Sequence, residues 1–175
     1  MRYVLRRAGQ ADMPVIRRMI AEGRASLAER GIDQWRVHYP DDAAFACDLA
    51  VGQLWVLSGP DGTPAAVAAL CFGEDPTYRR MTDGRWTEDA PYAAIHRVAV
   101  SASLRGQGIA GELFGALCAA AAQNGMRWVR ADTHSDNASM RRALEKSGFV
   151  LCGKIRTAHD EPRVAYEKRL CAPGE

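Results

Sequence analysis

A glycine-rich stretch is the part of the sequence best suited to chemistry. It follows an apolar run and reads Val98-Ala99-Val100-Ser101-Ala102-Ser103-Leu104-Arg105-Gly106-Gln107-Gly108-Ile109-Ala110-Gly111. Glycines at the start of a helix let backbone amides face a ligand without intervening side chains, and the helix dipole attracts anions to that end. The pattern predicts an anion site, most naturally for a pyrophosphate. The glycines could instead serve only close packing, and Arg105 either neutralises bound charge or is merely exposed.

Hydrophobic periodicity predicts the elements that position this stretch. A helix capped by Asp12 carries an apolar stripe and ends near Gly31, and a second long helix occupies 108–124. Short helices are predicted at 45–51 and 137–147, and strands at 3–8, 54–57, 65–72, 93–100, 126–132, 149–155 and 163–170. The strands 54–57 and 65–72 form an antiparallel hairpin, whereas the polar segment 73–91 is a long connection that is functional or disordered. The order of elements predicts one mixed α/β domain over residues 1–175.

Composition bounds the class of protein. The chain has 175 residues, 47% of them hydrophobic, and a formal net charge of +2. Without a basic block, nucleic acid is not an expected partner. Five widely spaced cysteines with no C-x-x-C pair predict neither a disulfide framework nor a zinc site. No signal peptide or membrane span is recognisable, so we expect a cytoplasmic protein that binds no membrane and no metal.

The segment Arg105-Gly106-Gln107-Gly108-Ile109-Ala110 resembles the acetyl-CoA pyrophosphate signature of the GNAT (Gcn5-related N-acetyltransferase) superfamily. That signature is Arg or Gln, two residues, Gly, one residue, then Gly or Ala. The preceding run 95–100 and the downstream segments 132–137 and 145–149 also resemble the family. The similarity follows most of the chain in element order and is tight from about residue 92 to residue 153. It implies a mixed, mostly antiparallel sheet with a splayed strand pair and helices on both faces.

The resemblance also implies which residues hold acetyl-CoA. Backbone groups of the strand Val98-Ala99-Val100, chiefly those of Val98 and Val100, would hydrogen-bond the pantetheine arm like an added strand. The amides of Arg105, Gly106, Gln107, Gly108, Ile109 and Ala110 would hold the pyrophosphate. Asn137 matches a family asparagine that contacts the cofactor. Asn137 is equally a helix N-cap, and both roles can hold together.

Acetyl transfer to an amine needs a deprotonated amine, stabilisation of the developing oxyanion and protonation of the leaving thiolate. His96 falls at a strand position that some histidine-containing members use for the base, and its side chain is expected opposite Ile95 and Arg97. His96 is alternatively a core histidine. The amide of Val98 is the expected oxyanion donor. The family often has a tyrosine as general acid where this sequence has Leu144, so the acid is Ser139, Tyr166, water or no group at all.

The acceptor site is expected in two segments. Asp33, Gln34, Trp35 and Tyr39 follow the first helix, and Tyr78 and Trp86 lie in the 73–91 connection. An acidic side chain among aromatic rings suits a cationic amine, although Trp35 could simply pin its loop to the core.

The leading interpretation is an acetyl-CoA-dependent N-acetyltransferase acting on a primary amine of a small molecule or peptide in a ternary complex. A CoA-binding sensor with little catalysis, or an enzyme using a longer acyl donor, stays open, and so does a homodimer.

Overall fold

The structure is a computed structural model that describes residues 3–35 and 39–171. The helices are α1 (Met13–Glu29), α2 (Asp42–Ala50), α3 (Ile109–Gln123) and α4 (Ala138–Lys146). The strands are β1 (Val4–Arg7), β2 (Leu54–Ser58), β3 (Pro64–Phe72), β4 (Met81–Gly84), β5 (Tyr92–Val100), β6 (Trp128–Thr133), β7 (Val150–Arg156) and β8 (Pro162–Arg169). Each predicted helix and strand matches an observed one, and its ends are displaced by at most three residues. The strand β4 was not predicted.

The eight strands form one sheet in the order β1-β2-β3-β5-β6-β8-β7-β4. Among the described strands only β5 and β6 pair in parallel. α3 and α4 cover one face through residues such as Phe114 and Leu144, and α1 and α2 cover the other through Ile16 and Phe45. The predicted mixed, mostly antiparallel sheet with helices on both faces is therefore confirmed. Over residues 3–35 and 39–171, no helix combines the length and the apolar character needed to cross a membrane.

The parallel strands β5 and β6 separate halfway along β5. Their pairing runs from Tyr92 opposite Trp128 to Ile95 opposite Ala131, and β5 continues for five more residues. On the side of β6, backbone groups of β5 beyond Ile95 therefore face a gap, while β3 still pairs with β5 on the other side. This is the splayed strand pair that the family resemblance implied.

A bulge in β5 corrects one prediction. The pairing of β3 with β5 shifts register between Val67 and Ala69, and Arg97 has a left-handed φ of 55°. An extra residue in a bulge disturbs the alternation of side chains. As a result the expected alternation of side chains is interrupted at Arg97, and His96 and Arg97 both belong to the same cavity wall.

The 73–91 connection contains structure that its sequence did not reveal. It includes a short 3-10 turn at Pro76–Arg79 and the strand β4, which pairs with β7 at the sheet edge. A Cβ at Gly84 would meet the Cys152 carbonyl oxygen, and one at Gly153 would meet the Asp83 carbonyl oxygen. The close approach of two glycine backbones explains why a segment with no apolar alternation still forms a strand.

Candidate active site

A cavity of about 1140 Å³ opens where β5 and β6 separate. His96, Arg97 and Val98 of β5 form part of its wall, opposite residues 131–133 of β6. Phe114 of α3 and Leu144 of α4 form an apolar part of the wall. Residues from the segments after α1, after β3 and between β7 and β8 close the remaining sides.

His96 lies between two carboxylates in this cavity. Its Nε2 is 2.8 Å from Asp75 Oδ2, and its Nδ1 is 3.9 Å from Asp132 Oδ1. Burial alone would raise the pKa of Asp75, but hydrogen bonds from His96 and from the Thr77 amide outweigh it and hold that pKa below its ordinary value. Asp75 is therefore ionised at neutral pH and accepts a hydrogen bond from Nε2 of His96. Neutral His96 then carries its lone pair on Nδ1.

Tyr78 contacts both Asp132 and His96. The Tyr78 hydroxyl donates to Asp132 Oδ1 at 2.9 Å, and its ring centroid is 5.7 Å from that of His96. Burial, together with the charges of Asp132 and Asp75, raises the pKa of Tyr78 well above its ordinary value. The hydroxyl thus stays protonated and fixes the orientation of the Asp132 carboxylate.

Arg97 forms a second, separate charge pair in the cavity wall. Its Nε and one terminal nitrogen donate to the two oxygens of Asp48, each at 2.7 Å, and its other terminal nitrogen donates to the Tyr39 hydroxyl at 2.7 Å. Burial disfavours the charged guanidinium, but the bonds to Asp48 outweigh it and the pKa of Arg97 is raised. This bidentate pair is internally neutral and braces α2 against the bulge of β5.

The glycine-rich stretch joins β5 to α3 in the form expected of an anion site. Gly106 and Gly108 have φ angles of 76° and 82°, and a Cβ on either would meet no other atom within 4 Å. α3 begins at Ile109 directly after Gly108, so the free amides of its first turn lie beside this open space. Arg105 is exposed at the same place. These features fit a pyrophosphate group.

Asn137 is the N-cap residue of α4. Its Oδ1 accepts from the Met140 amide and the Ser139 hydroxyl, and its Nδ2 donates to Gln34 Oε1 at 3.1 Å. Both polar atoms of this buried side chain are thus engaged within the chain. Its predicted contact with the cofactor stays a prediction.

Some of the residues predicted for the acceptor site line the cavity, and the others lie outside its described wall. Gln34, Trp35 and Tyr39 line the cavity, and Trp35 also packs against α1 at Gly23, where a Cβ would lie 2.9 Å from Trp35 Cζ3. Asp33 is exposed and lies outside the described cavity wall.

The predicted contact of Tyr78 and Trp86 with an acceptor stays a prediction. Neither residue belongs to the described cavity wall. Tyr78 is 2% exposed behind His96, and Trp86 packs on Tyr78 and on the guanidinium of Arg130. Both side chains belong to a third apolar cluster with Tyr92 and Trp128.

The proposed alternatives to Leu144 as general acid are also engaged elsewhere. Ser139 donates to Asn137, and the Tyr166 hydroxyl donates to Glu145 while it accepts from Arg141. Leu144 itself is 1% exposed. The part of the wall formed by Leu144, Phe114 and Met140 therefore carries no proton donor.

Sequence reasoning did not identify Asp75, Asp132 or Asp48 as functional. Asp132 had a usable signal, because it ends the predicted strand 126–132, which follows the His96 strand and the helix 108–124 along the chain. Asp75 stood in a polar connection of unknown path, and Asp48 in a short helix whose partner could not be foreseen. Their proximity to β5 follows from tertiary contacts alone.

Comparisons with known proteins agree with this geometry. The family model described as Acetyltransferase (GNAT) family matches residues 24–149. A crystal structure of a GNAT-family acetyltransferase from Streptococcus agalactiae 2603 is 32% identical, with a TM-score of 0.87 and 95% of each chain covered.

Two more distant solved structures share the fold. A GNAT-family acetyltransferase from Listeria monocytogenes 4b F2365 is 16% identical, with a TM-score of 0.73, and covers 96% of this chain and 95% of its own. A phosphinothricin acetyltransferase from Sinorhizobium meliloti, solved in complex with acetyl-CoA, is 20% identical, with a TM-score of 0.67, and covers 97% of this chain and 89% of its own. No curated protein gave a significant match. The matched model and the identity to the streptococcal protein, together with the splayed sheet and glycine-rich turn, establish that the chain belongs to the GNAT acetyltransferase family.

Proposed function

We propose that this protein transfers the acetyl group of acetyl-CoA to a primary amine of a small molecule or peptide by direct attack in a ternary complex. The observation that carries the proposal is His96, held by Asp75 with Nδ1 free to accept a proton, in a cavity that opens at the separation of β5 and β6. The donor supplies an activated thioester. The chain supplies the binding groups, the base and a donor for the oxyanion.

The donor would lie along the open edge of β5. Backbone groups of Val98 and Val100 lie beyond the last pair of the β5–β6 ladder and would bond an extended pantetheine arm. Amides between Arg105 and Ala110 would receive the pyrophosphate, with Arg105 adding positive charge. The fit rests on the open space at Gly106 and Gly108.

His96 would act as the general base. An alkylammonium with a pKa of about 10 must lose one proton before it can attack, and Nδ1 of neutral His96 can accept it. The new C–N bond then forms as the C–S bond breaks, and the second amine proton ends on the departing thiol. The amide of Val98 would donate to the carbonyl oxygen while that oxygen carries negative charge.

One feature of the cavity wall supports direct transfer, and a second concerns departure of the thiol. Burial, reinforced by the charges of Asp48 and Asp75, raises the pKa of Cys71 to about 11, so this thiol is a poor nucleophile at neutral pH. Leu144 offers no proton to the leaving group, but a thiol with a pKa of about 8.5 departs adequately without an acid.

The proposal is tested by turnover. A panel of primary alkylamines and N-terminal peptides is incubated with acetyl-CoA, and thiol release is followed together with the melting temperature. We expect release well above background for a subset of acceptors. If acetyl-CoA raises the melting temperature but no acceptor is consumed, the protein is a CoA-binding sensor and the enzyme assignment fails.

A further inference from the structure

The gap between His96 and Asp132 needs a hydrogen-bond donor that the described part of the chain does not supply. Nδ1 of neutral His96 and Oδ1 of Asp132 face each other at 3.9 Å, and both are acceptors. Two acceptors cannot bond to each other without a donor between them. Over residues 3–35 and 39–171, no other group donates to Asp132 besides the Tyr78 hydroxyl, so Asp132 Oδ2 has no donor among these residues.

A primary ammonium has the right shape for this gap. It carries several N–H donors on one nitrogen, and an atom placed about 2.8 Å from both acceptors spans their separation without strain. Longer amine chains would extend into the cavity, whose wall includes Trp35 and Tyr39.

The charges around the gap favour a cation. Asp75 and Asp132 are two carboxylates, His96 is neutral in the state that accepts a proton, and Tyr78 is kept neutral by burial. Among the described residues of the wall, both arginines are already paired. Arg97 is bound to Asp48 and Arg163 to Glu161, at 2.7 Å in each case. The described residues next to the gap therefore leave it without an unpaired arginine.

We propose that Asp132 and Nδ1 of His96 together bind the ammonium group of the acceptor, so that Asp132 selects cationic primary amines over uncharged ones. This inference rests on the proposed function and adds the substrate class. In the same contact an ammonium proton points toward Nδ1 of His96. The contact that recognises the acceptor therefore also allows its deprotonation. Asp75 is a positioning residue, because it acts on the acceptor only through the tautomer of His96.

The test compares pairs of acceptors that differ in charge but not in size. Each alkylamine accepted by the wild-type protein is matched with its aminooxy analogue, in which the CH₂ next to nitrogen is replaced by oxygen and the amine is uncharged at neutral pH. Asp132→Asn keeps the shape and removes the charge. We expect the ratio of kcat/KM values, alkylamine over aminooxy analogue, to fall at least about ten-fold through a higher KM for the alkylamine.

Control variants separate this role from general effects. Glu74→Gln removes a carboxylate from the same cavity wall that pairs with the exposed Arg79, and we expect it to change the ratio less than about two-fold because solvent screens that charge. Asp132→Glu keeps the charge and should retain most of the preference. For all three variants, an unchanged increase in melting temperature with acetyl-CoA shows that the donor site is intact.

Asp75→Asn has a different signature. We expect kcat to fall while the alkylamine KM stays within about two-fold, because the acceptor still meets Asp132 and only the tautomer of His96 is no longer fixed. A merely structural residue would not separate kcat from KM in this way.

The outcomes are distinct. Turnover with a charge preference that survives Asp132→Asn overturns this inference and leaves the proposed function standing. Absence of turnover with every acceptor overturns both.

Discussion

At the residue scale, the site depends on how one histidine is held. Asp75 accepts from Nε2 and thereby decides that Nδ1 faces the cavity, while Tyr78 orients the second carboxylate, Asp132. The sequence identified His96 from its place on the strand but left a core role equally open. Its side chain is only partly buried and lines the cavity, which is what a base requires.

Replacing His96 tests its role as a base. His96→Gln should lower kcat/KM for an accepted amine by about 10²-fold at neutral pH, because general base catalysis contributes about that much or more. The measurement is initial-rate kinetics from pH 6 to pH 9, where the loss should shrink as the free amine becomes abundant.

A matched control is available in the same cavity. His159→Gln makes the same change at an exposed histidine of the wall, between β7 and β8. We expect its kinetics to stay within about two-fold of the wild type, since His159 lies outside the Asp75–Asp132 cluster. Equal losses in the two variants would argue against a base at His96.

At the element scale, two departures from regular structure make the site. The bulge at Arg97 turns that side chain toward Asp48, and the early end of the β5–β6 ladder exposes the rest of β5. The turn into α3 then uses Gly106 and Gly108 in left-handed conformations that other residues adopt poorly. Regular strands and helices would leave neither a cavity nor an open set of amides.

The glycine turn is tested by filling it with a like charge. Gly108→Glu places a carboxylate where the pyrophosphate would lie and imposes a side chain on a φ of 82°. We expect acetyl-CoA affinity to fall by at least about 100-fold in calorimetric titration, because the anion would meet charge repulsion and lose its free amides.

Gly115→Glu is the control for that change. Gly115 lies on the same helix, is exposed, and has open space around a Cβ. This variant should bind acetyl-CoA nearly as the wild type does. Micromolar binding by Gly108→Glu would contradict the pyrophosphate assignment.

At the scale of the whole molecule, the sheet order brings distant segments to one cavity. β5 lies at the centre, with β3 on one side and β6 on the other, so residues after β3 and at the end of β6 meet at His96. The two helical layers bury separate clusters on opposite faces, and the short β4 completes the far edge. The connection between β1 and α1 ties the other edge to the core.

That connection predicts a pH dependence of stability. Asp12 accepts from Arg6 at 2.7 Å and from the Gly9 amide at 2.8 Å. The bonds from Arg6 have the largest effect on the pKa of Asp12, and with the Gly9 amide they outweigh burial and lower it. A lowered pKa stabilises the fold above the ordinary value of about 3.9, and this contribution is lost as pH falls through the folded-state value.

Asp12→Asn should therefore lower the free energy of unfolding by about 1 kcal/mol at pH 7, a modest figure because Arg6 is partly exposed. The difference from wild type should shrink at pH 2.5. Urea unfolding at both values measures it, with the exposed Asp89→Asn as a control that changes neither. A deficit that is equal at both values would mean that the Asp12 charge does not matter.

Much of the fold was predictable because its signals are local. The stripe of α3, the turn between β2 and β3 and the N-cap of α4 each lie within one short window of sequence. β4 was missed because its pairing depends on close backbone approach to β7, which no local pattern reports. Asp12 marked the start of α1 correctly, but its carboxylate bonds to Arg6 and Gly9 instead of capping that helix.

The sequence by itself determined the family resemblance and the candidate donor site, because the glycines, the helix start and the preceding strand are contiguous and their chemistry is that of the backbone. Only the tertiary structure decided the surroundings of His96. Asp75 and Asp132 reach it through the order of strands, and Tyr78 and Trp86 belong to the third apolar cluster. Contacts between distant segments depend on the packing of the whole sheet, and a pattern of neighbouring residues carries no record of it.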